Sequence, residues 1–270
     1  MKQMNVLDGA HPLIHWRSLW LVFAAFVAGV LNAVAGGGSF LSFPALLGTG
    51  MLPVHANATN TVALWPGQLT SIAAYREEMR RHMRLVWPMA IAGLLGGTAG
   101  ALVLLRTSQR TFMTLVPWLL LIAAVIFALS RPVLRWIERK EHTVPGRRHP
   151  RRRLVFLFTI VVCFYVGYFG AGAGFVIITV LSLFGFEDLN EINALKVVAT
   201  TMANGVAFII FVVGRQVEWR YCLLAMVACA IGGYTSARFA RMAPQAVLRW
   251  LVIVIGFGMS AWFFWKNSGQ

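Results

Sequence analysis

Residues 19–47 read LWLVFAAFVAGVLNAVAGGGSFLSFPALL, 29 positions with no charged side chain and with three consecutive glycines, Gly36, Gly37 and Gly38, past the midpoint. As one straight helix the run would measure about 43 Å, roughly a third more than the ~30 Å hydrocarbon core of a bilayer. A segment of that length tilts or breaks. The glycines mark where it breaks, since each weakens a helix by about 1 kcal/mol relative to alanine. Seven more apolar segments follow, at 58–75, 85–105, 111–130, 154–186, 197–214, 221–237 and 247–265, each bounded by charged residues or by Pro and Gly. With 59% hydrophobic residues, 12% charged residues and a mean hydropathy of +0.71, the 270-residue chain reads as an all-α polytopic membrane protein of about eight transmembrane helices, and a soluble enzyme is disfavoured.

A shift of 136 positions lays the first part of the chain on the second without a gap. Ala35, Gly36 and Gly38 fall on Ala171, Gly172 and Gly174, Asn57 and Ala58 on Asn193 and Ala194, Val62 and Ala63 on Val198 and Ala199, and Gly96 and Gly97 on Gly232 and Gly233. Apolar composition produces chance matches of Ala and Val, but not glycine and asparagine pairs in one register. The chain therefore reads as a duplicated four-helix unit. A cytoplasmic segment 1–18 precedes the first membrane repeat, 19–130; a basic cytoplasmic linker, 131–153, joins it to the second, 154–266; together they form one integral membrane domain. The first segment of the second half has its own break, at Gly170-Ala171-Gly172-Ala173-Gly174. Four spans in each half relate the halves by an axis along the membrane normal, whereas an odd number inverts them.

A formal net charge of +15 suits nucleic-acid binding in a soluble protein. Here the 24 Lys and Arg lie between the apolar segments, with no basic face interleaved with aromatics, so nucleic acid is not an expected partner. With both termini cytoplasmic, 18 of these charges fall inside and 6 outside, as the positive-inside rule requires of an inner-membrane protein. If 19–47 were a re-entrant hairpin, the nine basic residues of the linker would fall outside, so a full crossing is expected. The same linker can hold anionic lipid headgroups. Cys163, Cys222 and Cys229 sit in apolar segments without CxxC spacing and read as small packing residues. Ala33-Val34-Ala35 fits a signal-peptidase site, but the polar lead before it is long, and the repeat needs residues on both sides of the cut.

Glycine-broken segments at matching places in two repeats point to a transporter substrate site. The competing reading is close helix packing through small residues, which suits Gly93, Gly96, Gly97, Gly100, Gly232 and Gly233 better. Helices that resume at Ser39 and Phe175 would present free N–H groups and the positive end of a helix dipole, a site for an anion. The next segment of each half carries polar residues along one face, at 57, 60, 64 and 68 and at 193, 196, 200 and 204, with Asn57, Asn60, Thr61 and Gln68 in one half and Asn193, Lys196, Thr200, Thr201 and Asn204 in the other. A lone Asn or Thr there equally well bonds a neighbouring helix. Lys196 costs roughly 2.5–3.5 kcal/mol to bury, so it needs a watery cavity, a partner or an anion, unless it snorkels to the interface. The nine acidic residues (Asp8, Glu77, Glu78, Glu138, Glu141, Glu187, Asp188, Glu191 and Glu218) all lie at termini or between segments, which disfavours a cation path or a carboxylate proton relay. The six histidines also lie outside the segments, and no triad or metal spacing gathers them, so no enzyme, metal or cofactor is expected.

Four blocks carry a resemblance: NAVAGGGSFLSFPALLGTG (32–50), ANATNTVALWPG (56–67), GYFGAGAGFVIITVLSLFGF (167–186) and NALKVVATTMANG (193–205). In this order and register the chain resembles the sulfite exporter TauE/SafE family of membrane permeases from about residue 19 to 265. The resemblance implies movement of small sulfur oxyanions or organosulfonates such as sulfite or sulfoacetate. It carries the family's glycine turns onto Gly36, Gly37, Gly38, Gly172 and Gly174, its proline onto Pro44, and its polar second block onto Asn57, Thr59, Asn60, Asn193, Lys196 and Asn204. The second glycine block reads GAGAG here, and no proline matches Pro44 in the second half. The expected substrate-binding set is thus Gly36, Gly37, Gly38, Ser39, Asn57, Thr59, Asn60, Gly172, Gly174, Asn193, Lys196, Thr200 and Asn204, in an anion exporter working by alternating access between the halves. The alternative is a membrane scaffold or assembly protein in which the glycines only pack; a lipid-acting enzyme ranks third for want of a catalytic constellation.

Overall fold

The computed structural model describes residues 12–35, 37–141, 152–184, 186, 188–242 and 245–268. Among these, regular structure is α-helical throughout: α1 (Pro12–Ala35), α2 (Ser39–Gly48), α3 (Pro53–Ala74), α4 (Arg76–Arg81), α5 (Met83–Arg106), α6 (Gln109–Glu141), α7 (Arg152–Tyr168), α8 (Ala173–Leu183), α9 (Leu189–Val213), α10 (Trp219–Met242) and α11 (Gln245–Ser268). Local chemistry starts two of them clearly. Pro53 occupies the first turn of α3, where a missing N–H costs nothing, and the Asp188 carboxylate accepts from Asn190 N at 2.8 Å to cap α9. The starts of α3, α5 and α6 recur 136 positions later as the starts of α9, α10 and α11.

Among the described residues, three helices are long and apolar enough to cross a membrane, with spans Met83–Arg106, Gln109–Leu129 and Asn190–Val213; Trp16–Asn32, Ser39–Gly48, Arg153–Tyr168 and Ile253–Trp265 are shorter apolar helices. The breaks near 36–38 and 169–172 shorten the first segment of each half, and the polar stripe of α3 lowers its hydropathy. Side chains such as Leu95, Val161 and Ile209 point outward from α5, α7 and α9 and are more than half exposed on the isolated chain. Water would make such a surface costly; lipid is as apolar as the side chains themselves.

The glycine-broken segments turn back on themselves, which corrects the expectation that 19–47 and 154–186 each cross once. Gly38 packs directly on the Ala28 carbonyl oxygen, where a continuous helix would hold the two residues about 15 Å apart. Gly50, beyond the end of α2, lies beside Nη1 of Arg17 near the start of α1. So α1 and α2 form a hairpin. In the second half, α5 runs parallel to α7, with Thr159 bonded to Met89 Sδ, Gly96 against Cys163 and Gly100 against Gly167. It also runs parallel to α9, with Gly93 on Ala199 and Gly97 on Ala203. Helices α7 and α9 therefore share a direction, and α8 must carry the chain back between them.

The directions of α3 and α9 follow from their ends. His55, in the first turn of α3, lies 3.9 Å from Glu218, just beyond α9, and His82, past α4, lies 4.0 Å from Glu191, in the first turn of α9. The two helices are antiparallel and cross where Asn204 Nδ2 donates to Gln68 Oε1 at 3.1 Å. Helices α6 and α11 cross in the same sense, with Ser260 Oγ donating to the Pro117 carbonyl at 2.8 Å and a Cβ on Gly256 standing 3.0 Å from Ala124 Cβ. Matched helices that run antiparallel are incompatible with a symmetry axis along the helices, so the expected relation of the halves by an axis along the membrane normal fails. Charge counting missed the hairpins because an apolar run has the same composition whether its helix runs on or folds back.

The expectation of close packing at the α5 glycines agrees with the contacts: Gly96 and Gly100 meet the backbone of α7, and a Cβ on Gly97 would stand 2.6 Å from that of α9. Gly36, the segment 1–11 and residues 142–151 lie outside the described residues, as do the side chains of 131–152, on which the anionic-lipid expectation rests.

Candidate functional site

A cavity of about 690 Å³ lies between α1, α3, α7, α8, α9 and α10. Along α3 its lining runs from Thr61 through Gln68 and Ser71 to Tyr75, so it reaches the end of the molecule where α4 sits. The opposite end is packed. Phe43 stands edge-on to Phe112 and to Phe169, with ring centroids 6.3 and 5.4 Å apart, and Tyr168 closes on Phe112 at 5.7 Å. Around these rings Asn57 Nδ2 donates to the Tyr168 carbonyl at 3.0 Å, and Glu218 N donates to the Thr59 hydroxyl at 3.0 Å.

The hairpins deliver two helix starts to this cavity. Ser39 is the first residue of α2 and Gly174 the second of α8, and both line it. The turn into α8 uses Gly170 at φ +79° and Gly172 at φ +70°, left-handed conformations that cost most residues roughly 1–2 kcal/mol. Each helix start carries positive partial charge, although at α2 the amide N–H groups of Phe40, Leu41 and Ser42 are taken by the Gly37 and Gly38 carbonyls. Lys196, on α9, adds a full charge: its Nζ donates to Asn193 Oδ1 at 2.9 Å, and its aliphatic stem passes Gly174, where a Cβ would meet Cδ at 3.5 Å. No Asp or Glu lines the cavity, and among the described residues no carboxylate pairs with Lys196.

Of the residues expected from sequence, Ser39, Gly174, Lys196, Thr200 and Asn204 line the cavity. Asn193 touches it through Lys196. Thr200 Oγ1 donates to the Lys196 carbonyl at 2.9 Å. The others sit elsewhere. Gly37 and Gly38 are buried in the α1–α2 turn, their carbonyls accepting from Phe40, Leu41 and Ser42. Asn60 Oδ1 accepts from Ser42 Oγ at 2.5 Å, while Asn57 and Thr59 hold the packed end. Gly172 faces Ala123 and Phe40. The lining also includes Asn32, Gln68, Ser71, Tyr75, Phe169 and Thr201. Gln68 and Ser71 extend the polar face of α3, a signal open to sequence reading; Asn32 and Phe169 flank the breaks and depend on the fold-back. Thr201 Oγ1 is buried without a partner, and Trp65 Nε1 donates to the Thr201 carbonyl at 3.1 Å, again joining positions 136 apart.

Among the described residues the structure is helical, with membrane-length apolar helices and a cavity that carries polar side chains, and the relatives give the class, a multi-pass membrane transporter. The profile of the sulfite exporter TauE/SafE family matches residues 21–263, and the chain belongs to that family. It is 28% identical over 246 residues to a probable membrane transporter protein of Haemophilus influenzae, covering 89% of this chain and 92% of that one. It is 26% identical over 279 residues to the probable membrane transporter protein YfcA of Escherichia coli (strain K12), covering 100% and 97%. The probable membrane transporter protein ORF9 of a Sinorhizobium species is 26% identical over 248 residues. No solved structure matches the chain.

Proposed function

We propose that this transporter carries small sulfur-containing anions, such as sulfite or an organosulfonate, through the cavity between its two halves by alternating access. One observation carries the reading: two helix N-termini and Lys196 converge on a single cavity whose lining contains no carboxylate. The α8 start and the ammonium replace the anion's hydration shell, the α2 start adds its dipole, and the Thr200 and Asn204 side chains orient the oxygens. With the cell interior negative, expelling a monoanion gains about 2.3 kcal/mol per 100 mV, so export needs no coupled ion.

The proposed architecture is a pair of repeats, 19–130 and 154–266, inverted about an axis in the membrane plane. Contacts in the register of 136 support it: the His55–Glu218 pair maps onto Glu191–His82, and Gln68–Asn204 maps onto itself. Each half is then a re-entrant hairpin followed by three long helices, an odd arrangement of the kind that inverts. The segments that meet at the α4 end carry four Lys and Arg in 76–84, nine in 131–153 and three in 238–249, 16 of the 24, so that end is assigned to the cytoplasm. Arg17 beside Gly50 then puts the start of α1 on the outer face, and α11, antiparallel to α6, ends there too. The proposed orientation differs from the cytoplasmic termini expected from charge alone. The charges of the basic linker suit anionic headgroups of the inner leaflet.

The test is flux into proteoliposomes under an imposed potential, with sulfite and sulfoacetate as solutes and sulfate and a cation as controls. Wild type moves a sulfur anion in the direction set by the potential, and Lys196→Gln lowers that flux about tenfold or more. Correctly folded wild type that moves no anion would overturn the reading and leave the scaffold alternative.

A further inference from the structure

Building on the anion-transport reading, we infer that Gln68, bonded to Asn204, forms a carboxamide pair that contacts the transported anion in both facing states and sets its recognition. Positions 68 and 204 are 136 apart and occupy the crossing of two antiparallel helices, joined by the 3.1 Å bond. A residue that bonds its own counterpart lies on the axis relating the halves. Apart from Thr201, which bonds its own counterpart Trp65, exchanging the conformations of the two halves moves the polar groups of the cavity to different surroundings: Ser71 exchanges with Ala207, and Lys196 with Asn60, which here is buried against Ser42. The carboxamide pair stays where it is.

The chemistry of the pair suits an anion. Their mutual bond uses one N–H of Asn204 and one lone pair of Gln68. It leaves both N–H groups of Gln68 and the second N–H of Asn204 as donors, and both residues line the cavity. Lys196, Thr200 and Asn204 follow one another at four-residue intervals and share a face of α9, so the charge and the carboxamides address one volume. The α7–α8 turn reaches the same point, since a Cβ on Gly170 would stand 4.0 Å from Asn204 Oδ1. An oxyanion seated there takes side-chain N–H donors from both halves, with the start of α8 close by.

Sulfite and sulfoacetate transport at a series of concentrations tests the assignment in reconstituted full-length protein, with detergent melting curves as the folding control. Gln68→Glu keeps the acceptor for Asn204 Nδ2 and the side-chain volume but replaces donors with negative charge. It is expected to raise the half-saturating anion concentration at least about tenfold, as is Gln68→Leu. The exchanged double variant Gln68→Asn/Asn204→Gln restores both groups and stays within about threefold of wild type, whereas a purely space-filling role predicts wild-type kinetics for the isosteric Gln68→Glu as well. Gln68→Leu that fails to fold leaves the decision to Gln68→Glu. Wild-type kinetics in Gln68→Glu overturn this assignment alone, whereas no anion flux in the wild type overturns the proposed function and this assignment with it.

Discussion

At the scale of single residues, the same type of side chain does opposite things depending on which end of the molecule it faces. Asn57 and Asn60 on α3 are as polar as Asn204 on α9, yet they bind the Tyr168 carbonyl and the Ser42 hydroxyl inside packed protein, while Asn204 faces the cavity. Sequence showed the polar stripe but not the helix that satisfies each member, because satisfaction depends on what packs opposite. Lys196 was legible because a buried ammonium demands an explanation of its own, and Ser39 because it follows a glycine break. Gly97 separates the packing role of glycine from a transport role. A Cβ there would meet Ala203 Cα at 2.6 Å, so Gly97→Val is expected to destabilise the protein by about 1–3 kcal/mol, seen as a lower melting temperature in detergent. Lys196→Gln acts in the reverse way: it relieves a buried charge, leaves melting unchanged or raised, and removes anion flux. A lysine that serves only to hold the fold would lose both together.

Among the elements, the hairpins decide the arrangement, and their existence was only half visible. The break itself follows from glycine content; its direction follows from Gly38 reaching Ala28, a tertiary contact with no local signature. Gly38→Ala would push a methyl group into that carbonyl, whereas nothing lies within 4 Å of a Cβ on Gly48, the last residue of the same short helix. Gly38→Ala is therefore expected to lower the yield of folded protein and Gly48→Ala to leave it unchanged, compared by size-exclusion profile at equal expression. Gly172, at φ +70°, stands in ordinary contact with Ala123. Gly172→Ala thus costs mainly backbone strain, about 1–2 kcal/mol, without a steric clash. A larger loss in thermal unfolding would show that the α8 start is packed more tightly than these contacts indicate.

For the whole molecule, the register of 136 positions was plain in the sequence because glycines and asparagines have few substitutes where backbones touch or polar groups are buried. The sense of the symmetry was not, because lipid-facing composition is alike for a helix running up or down. The two His–Glu pairs at opposite ends and the Gln68–Asn204 crossing support the inversion proposed above. An inverted pair of halves caught with a cavity reaching one end has a counterpart state in which the matched residues line a cavity reaching the other. Ser71 lines the present cavity, and its counterpart, Ala207, is fully buried. The most direct test is one-sided thiol labelling in vesicles with a membrane-impermeant reagent, using Ser71→Cys and Ala207→Cys in a Cys229→Ala background, since Cys229 lines the cavity. Ser71→Cys is expected to react from the basic-linker face, and Ala207→Cys to become reactive from the opposite face when sulfite and an outward-directed potential are applied, while labelling of Ser71→Cys falls. Ala207→Cys that stays unreactive from both faces in vesicles carrying sulfite would contradict alternating access through this cavity.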